Sequence, residues 1–180
     1  MRKVSAIILC LALLCGVGCA KNEPKQQTAS FSISTEGKLS PSQYKAALEE
    51  RWEMYRDVNR EWVALMPEDE SDCDEPKEFA KLRPKVEPLF DRMEEALLSY
   101  EDIIPPDEYK ELHEKLIEGA KLELEWLDCS RKMFSSKTES ELQEATDKAL
   151  ELVDMATEIG ISYPQAYLNV YMALKDDGVA

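Results

Sequence analysis

The chain offers few residues whose type and spacing could do chemistry. Its single histidine, His113, would need carboxylate or histidine companions to hold a metal or to act as a general base. A di-iron bundle requires Glu-x-x-His pairs, but Lys110 occupies the position three residues before His113. Cys129 lies on the same predicted helix about 24 Å away, which is too far for a Cys–His pair. We therefore expect no catalytic site, no metal and no cofactor, and the sequence favours a packed or partly exposed His113.

Glu123 has an unusual position, because it falls near the centre of the apolar face of the third predicted helix, between Ala120 and Leu127. Burying a carboxylate there is costly unless it is paired. Glu123 could mark a ligand pocket between helices, together with His113 and Trp126. It could equally reach the surface or meet an arginine of a neighbouring helix, and the sequence leaves these alternatives open.

The elements that must position these residues are helices, since apolar residues recur at three- and four-residue steps beyond residue 40. Capping residues, prolines and Gly160 separate the predicted helices at about 40–66, 76–102, 106–134, 138–159 and 162–174. Pro84 and Pro88 should kink the second helix or divide it into two pieces. The pattern favours an all-α fold, an antiparallel up-down bundle of four long helices plus a short C-terminal helix.

The N-terminus has three parts. Met1-Arg2-Lys3 is basic, residues 4–17 are apolar, and Gly16-Val17-Gly18-Cys19 places small residues before a cysteine. This layout resembles the signal peptide and lipobox of bacterial lipoproteins, although an aliphatic residue is usual in that family where Gly16 stands. The resemblance implies that residues 1–18 are removed and that Cys19 is diacylated. An apolar run of about 14 residues is shorter than the roughly 20 of a membrane span. A retained anchor and an ordinary cleaved signal peptide are the weaker alternatives.

The rest of the chain divides into three regions by composition. Residues 19–39 are predicted to be the acylated cysteine and a polar flexible tether. Residues 40–175 form the bundle domain, and residues 176–180 are predicted to be a disordered tail. The resemblance implies a location in the cell envelope, on the non-cytoplasmic side of a bacterial membrane.

The charge of the chain limits its partners. The formal net charge is −15, and loss of Arg2 and Lys3 with the signal peptide takes it to about −17. Such a surface disfavours nucleic acid, which is bound through Lys and Arg. Anionic lipid headgroups would repel it, so the acyl chains are the expected membrane attachment. A cationic partner is permitted.

Two cysteines remain in the mature domain, Cys73 and Cys129. Two cysteines in an exported chain suggest one disulfide. If the helices alternate in direction, the loop that carries Cys73 lies at the same end of the bundle as Cys129. The bridge would close a loop of 56 residues, which corresponds to about 4 kcal/mol in the chain-entropy model. The alternative is two isolated buried thiols.

These features favour a non-catalytic envelope lipoprotein whose bundle binds a protein or another envelope component. The alternative is a carrier or sensor for a small ligand, with a cavity inside the bundle near Glu123, His113 and Trp126. The oligomeric state stays open.

Overall fold

The protein is an all-α bundle, as the sequence predicts. The computed structural model describes residues 31–65 and 76–179. A short 3₁₀ turn, Asp107–Tyr109, precedes the helix that begins at Lys110. The five α-helices of the described residues are α1 Pro41–Leu65, α2 Pro76–Leu98, α3 Lys110–Ser135, α4 Glu139–Ile159 and α5 Tyr163–Asp176. Within these residues, none of the helices is long and apolar enough to cross a bilayer.

Local capping determines where three of the helices begin. Thr138 and Glu141 form a reciprocal capping box at the start of α4, and Ser162 accepts the backbone N–H of Gln165 at the start of α5. The Ser40 hydroxyl likewise accepts the backbone N–H of Gln43 before α1. Each cap satisfies a backbone donor that the first helical turn leaves free. These starts confirm the capping predicted from the sequence.

The second helix is continuous through its two prolines. Pro84 and Pro88 both lie inside α2 and are exposed to solvent, so the prediction of two separate pieces is wrong. The helix ends at Leu98, earlier than predicted, because the chain then turns. In that turn Tyr100 donates its N–H to the carbonyl of Leu97, and its side chain enters the core.

The third helix is central, and it packs against α2, α4 and α5. Arg131 of α3 pairs with Asp91 and Glu94 of α2, at 2.8 and 2.7 Å, which places the C-terminal part of α3 beside the middle of α2. Thr146 of α4 lies 3.5 Å from the Met133 sulfur of α3. The Phe134 ring near the end of α3 contacts Phe79 near the start of α2, so these two helices are antiparallel. The pairs Tyr44–His113 and Tyr55–Glu123 follow the same order along α1 and α3, so α1 and α3 run in the same direction and meet through side chains across the core.

Part of the predicted tether lies on the bundle. Residues 31–39 precede α1 without a helix or strand, and both the backbone N–H and the hydroxyl of Ser32 donate to Glu50 at 2.6 Å. Leu39 is buried and donates its N–H to the carbonyl of Ile104 at 3.1 Å. These contacts differ from the flexible tether expected, because polar composition does not reveal contacts with distant parts of the chain.

The C-terminal residues also differ from expectation. Tyr109 donates to Asp177 at 2.7 Å, and Lys45 donates to the backbone carbonyl of Val179 at 3.0 Å. The described part of 176–180, predicted as a disordered tail, is therefore held against the starts of α1 and α3.

Candidate functional site

The partner of Glu123 is Tyr55. The buried Tyr55 of α1 reaches across the core to Glu123 of α3 and donates its hydroxyl to Oε1 at 2.6 Å. Burial raises the pKa of Glu123 above its ordinary value, and the hydrogen bond from Tyr55 opposes that rise. The sequence suggested a pocket, the surface or an arginine for Glu123, and did not indicate a tyrosine.

Tyr55 belongs to a buried tyrosine cluster that consists of Tyr55, Tyr100 and Tyr163. The rings of Tyr55 and Tyr163 meet edge to face with centroids 4.7 Å apart. The hydroxyls of Tyr100 and Tyr163 are hydrogen-bonded at 2.9 Å. Burial raises the pKa of both Tyr100 and Tyr163 well above the ordinary value, so the cluster stays neutral. It fills the space between α1, α3 and the first turn of α5.

A pocket of about 250 Å³, here the Glu123 pocket, opens between α3, α4 and the start of α5. Its wall includes Leu122, Glu123, Trp126, Leu152, Ala156 and Tyr163. The structure thus brings together two of the three residues predicted for a ligand pocket. The indole Nε1 of Trp126 is buried without a hydrogen-bond partner among the described residues.

His113 does not line this pocket. It is buried, and its Nδ1 lies 2.9 Å from the Tyr44 hydroxyl in a hydrogen bond. Burial lowers the pKa of His113 from 6.5 to about 4, while the carbonyls of Tyr100 and Ile103 act in the opposite direction. The ring is therefore neutral at physiological pH. It packs edge to face on Tyr44 as part of the core.

A second concave surface, here the aromatic groove, lies between α1 and α5. It encloses about 470 Å³, and its lining includes Glu49, Trp52, Glu53, Tyr167, Leu168 and Tyr171. Trp52 of α1 and Tyr167 of α5 stack face to face, with centroids 4.3 Å apart and planes 8° apart. The Tyr171 ring continues this stack from Tyr167 at 5.9 Å. The groove was not predicted from the sequence, although the four-residue spacing of Tyr163, Tyr167 and Tyr171 could have indicated it.

The cysteine predictions extend beyond the described residues. Cys129 is a buried thiol in α3, and burial raises its pKa. Cys73, its predicted disulfide partner, lies outside the described ranges, and so does Cys19, the predicted lipidation site. Both modifications therefore stay predictions.

The described residues offer no group of three His, Cys, Asp or Glu side chains that could hold a metal ion. Comparisons of the chain with protein-family models, with curated proteins and with solved structures give no match. The function is therefore inferred from the two concave surfaces, the Glu123 pocket and the aromatic groove.

Proposed function

We propose that this protein is a lipid-anchored, non-catalytic binding protein of the bacterial cell envelope. Its bundle holds a basic segment of a partner protein in the aromatic groove. The observation that carries the binding role is the stacked face of Trp52, Tyr167 and Tyr171, flanked by two carboxylates on α1.

The groove has the composition of a site for cations. Aromatic faces attract ammonium and guanidinium groups, and Glu49 and Glu53 add negative charge on the adjacent turns of α1. Trp52 is only half-buried, so its ring remains accessible. The net charge of −15 attracts a basic segment and orients its approach.

Two cations of the chain already lie at this surface, since Arg56 lines the groove and offsets part of the charge of Glu49 and Glu53. The Lys45 ammonium is 5.9 Å from the centroid of the Tyr171 ring, within the range of a cation–π contact. Leu168, which lines the groove, and Met172 on the next turn of α5 are exposed. Their side chains would provide apolar contact for the rest of a bound peptide, which supports a peptide rather than a single ion as the occupant.

Fluorescence anisotropy tests the groove directly. The probe is a short labelled peptide of alternating lysine and leucine, in about 0.15 M salt. We expect saturable binding to the full-length protein, and binding that is roughly tenfold weaker for Glu49→Gln/Glu53→Gln, from the loss of two exposed charge contacts. Trp52→Leu should also weaken binding, although it leaves the net charge unchanged.

The matched control removes the same charge elsewhere. Glu95→Gln/Glu151→Gln alters two exposed carboxylates of α2 and α4, and it should bind the peptide like the unaltered protein. If this control weakens binding as much as the groove variant does, the interaction is only general attraction to an acidic protein. Loss in the groove variants alone supports the proposal.

The anchor has a separate test. The lipobox-like sequence before Cys19 supports acylation there, and two acyl chains give stable attachment. Metabolic labelling with palmitate should mark the protein and should fail with Cys19→Ser, which should also release the protein from the membrane fraction. An unlabelled, freely released protein would contradict the lipid anchor, and it would not bear on the binding of a peptide in the aromatic groove.

A further inference from the structure

We infer that the Glu123 pocket is a binding site for a small organic amine. The ammonium group of the ligand pairs with Glu123, and its apolar body lies against Trp126 and Leu152. This site is separate from the aromatic groove, and its ligand is a small molecule rather than a peptide.

The position of the Glu123 carboxyl supports a ligand site in this pocket. Tyr55 approaches it from α1 and occupies Oε1, whereas the pocket is walled by α3, α4 and the start of α5. A carboxylate has about four acceptor positions, so the hydrogen bond from Tyr55 leaves capacity for a ligand. Glu123 is partly exposed and lines the pocket, whereas Tyr55 is fully buried and is not among the lining residues.

The chemistry of the pocket wall favours an amine as the ligand. Glu123 is the only Asp, Glu, Lys or Arg among the described residues that line the pocket. A carboxylate held largely away from water without a counter-charge is costly, and this partial burial raises the pKa of Glu123. An ammonium ligand supplies the missing counter-charge. The apolar lining, which includes Leu122, Leu152 and Ala156, selects an amine that carries a hydrocarbon body.

The volume of the pocket limits the size of the ligand. A dry cavity of about 150 Å³ holds benzene, and this pocket measures about 250 Å³. An aromatic ring with a short aminoalkyl chain fits such a volume. The pocket also shares Ser162, Pro164 and Gln165 with the lining of the aromatic groove, so it opens beside that groove and is reached from the same side of α5.

Calorimetric titration of the full-length protein with phenethylamine and with phenethyl alcohol tests the site, because the two probes share one body and differ in charge. We expect saturable binding of the amine and binding of the alcohol that is about tenfold weaker or more. Glu123→Gln keeps the side-chain volume and the acceptor for Tyr55, and it should abolish the preference for the amine. Ala156→Leu fills the pocket and should weaken binding of both probes.

Two kinds of result would overturn the inference. One is a titration that shows equal binding of amine and alcohol, or that shows no saturable amine binding in the millimolar range. The other is loss of amine binding in Glu53→Gln, a groove variant that should leave it unchanged, because that loss would assign the amine to the aromatic groove. Should Glu123→Gln fail to fold, Ala156→Leu decides the question, since unchanged amine binding in that variant excludes the pocket.

Discussion

Gly119 of α3 lies directly against the backbone of Tyr163, the first residue of α5. A Cβ atom at Gly119 would come within 3.0 Å of Tyr163 Cα and 3.1 Å of its N. Backbone atoms at this distance cannot rotate aside as a side chain can. The contact therefore sets how close α5 approaches α3, and with it the position of Tyr163 in both the tyrosine cluster and the wall of the Glu123 pocket.

Gly119→Ala should destabilise the protein. Alanine is favoured over glycine in a helix interior by about 1 kcal/mol, but forcing α5 away from α3 should cost about 1–3 kcal/mol in overpacking. Urea unfolding followed by circular dichroism measures the net change. Glu118→Ala, at the neighbouring exposed position, should change the free energy of unfolding by less than about 0.5 kcal/mol. A Gly119→Ala protein that is more stable than the original would contradict the close approach.

The hydrogen bond between Tyr55 and Glu123 should show strong coupling. Tyr55→Phe removes the hydroxyl that donates to Oε1 at 2.6 Å, and the expected loss of stability is about 1.5–3 kcal/mol. In a Glu123→Met background the hydroxyl has lost this acceptor, so the same change should cost less. A double-mutant cycle from urea unfolding measures the difference. Equal losses in the two backgrounds would show that the hydrogen bond contributes nothing.

Helix starts were predictable because they depend on neighbours in sequence. Ser40 and Gln43, like Thr138 and Glu141, lie three residues apart, and both pairs make the expected contacts. The burial of Leu48 and Leu116 likewise follows from their spacing on one helix face. Such features need no knowledge of how the helices pack.

The partners of the buried polar groups could not be predicted in this way. Tyr55 and Glu123 are 68 residues apart, and their contact depends on how α1 and α3 face each other across the core. The sequence marked Glu123 as unusual but could not name its partner or separate it from His113, which lies outside the pocket. The aromatic groove was missed for the same reason, since Trp52 and Tyr167 stack across two helices.

The segment before α1 should contribute to stability. A chain that begins at residue 40 should be less stable than one that begins at residue 31, because it loses buried Leu39, the Phe31 ring beside Arg51 and the Ser32–Glu50 hydrogen bonds. Burial of a leucine alone corresponds to about 1.5–3 kcal/mol. Thermal unfolding of both shortened chains measures the effect. Equal melting temperatures would show that residues 31–39 act only as a tether.

The predicted Cys73–Cys129 disulfide can be tested by peptide mapping without reductant. Digestion of the full-length protein should yield one species in which the peptide with Cys73 is joined to the peptide with Cys129, and reductant should separate them. The burial of Cys129 would protect its free thiol from alkylation, so labelling should be done after unfolding. Recovery of two alkylated thiols without reductant would contradict the predicted disulfide.

His113 should make the protein less stable at acidic pH. Its pKa is about 4 in the folded protein against 6.5 for an ordinary histidine, so on acidification the unfolded chain takes up the proton first. The stabilisation by neutral His113 is complete above pH 6.5 and is lost as the pH falls toward 4. This difference in pKa corresponds to about 3 kcal/mol.

His113→Gln separates this effect from other titrations. Glu123 acts in the opposite direction, because its raised pKa favours the protonated folded state at low pH. That contribution is present in both proteins and cancels when they are compared. The difference in free energy of unfolding between the original and His113→Gln should therefore shrink by about 3 kcal/mol between pH 7 and pH 4, as measured by urea unfolding at each pH. A difference that stays constant would show that His113 is protonated as readily in the folded protein as in the unfolded chain.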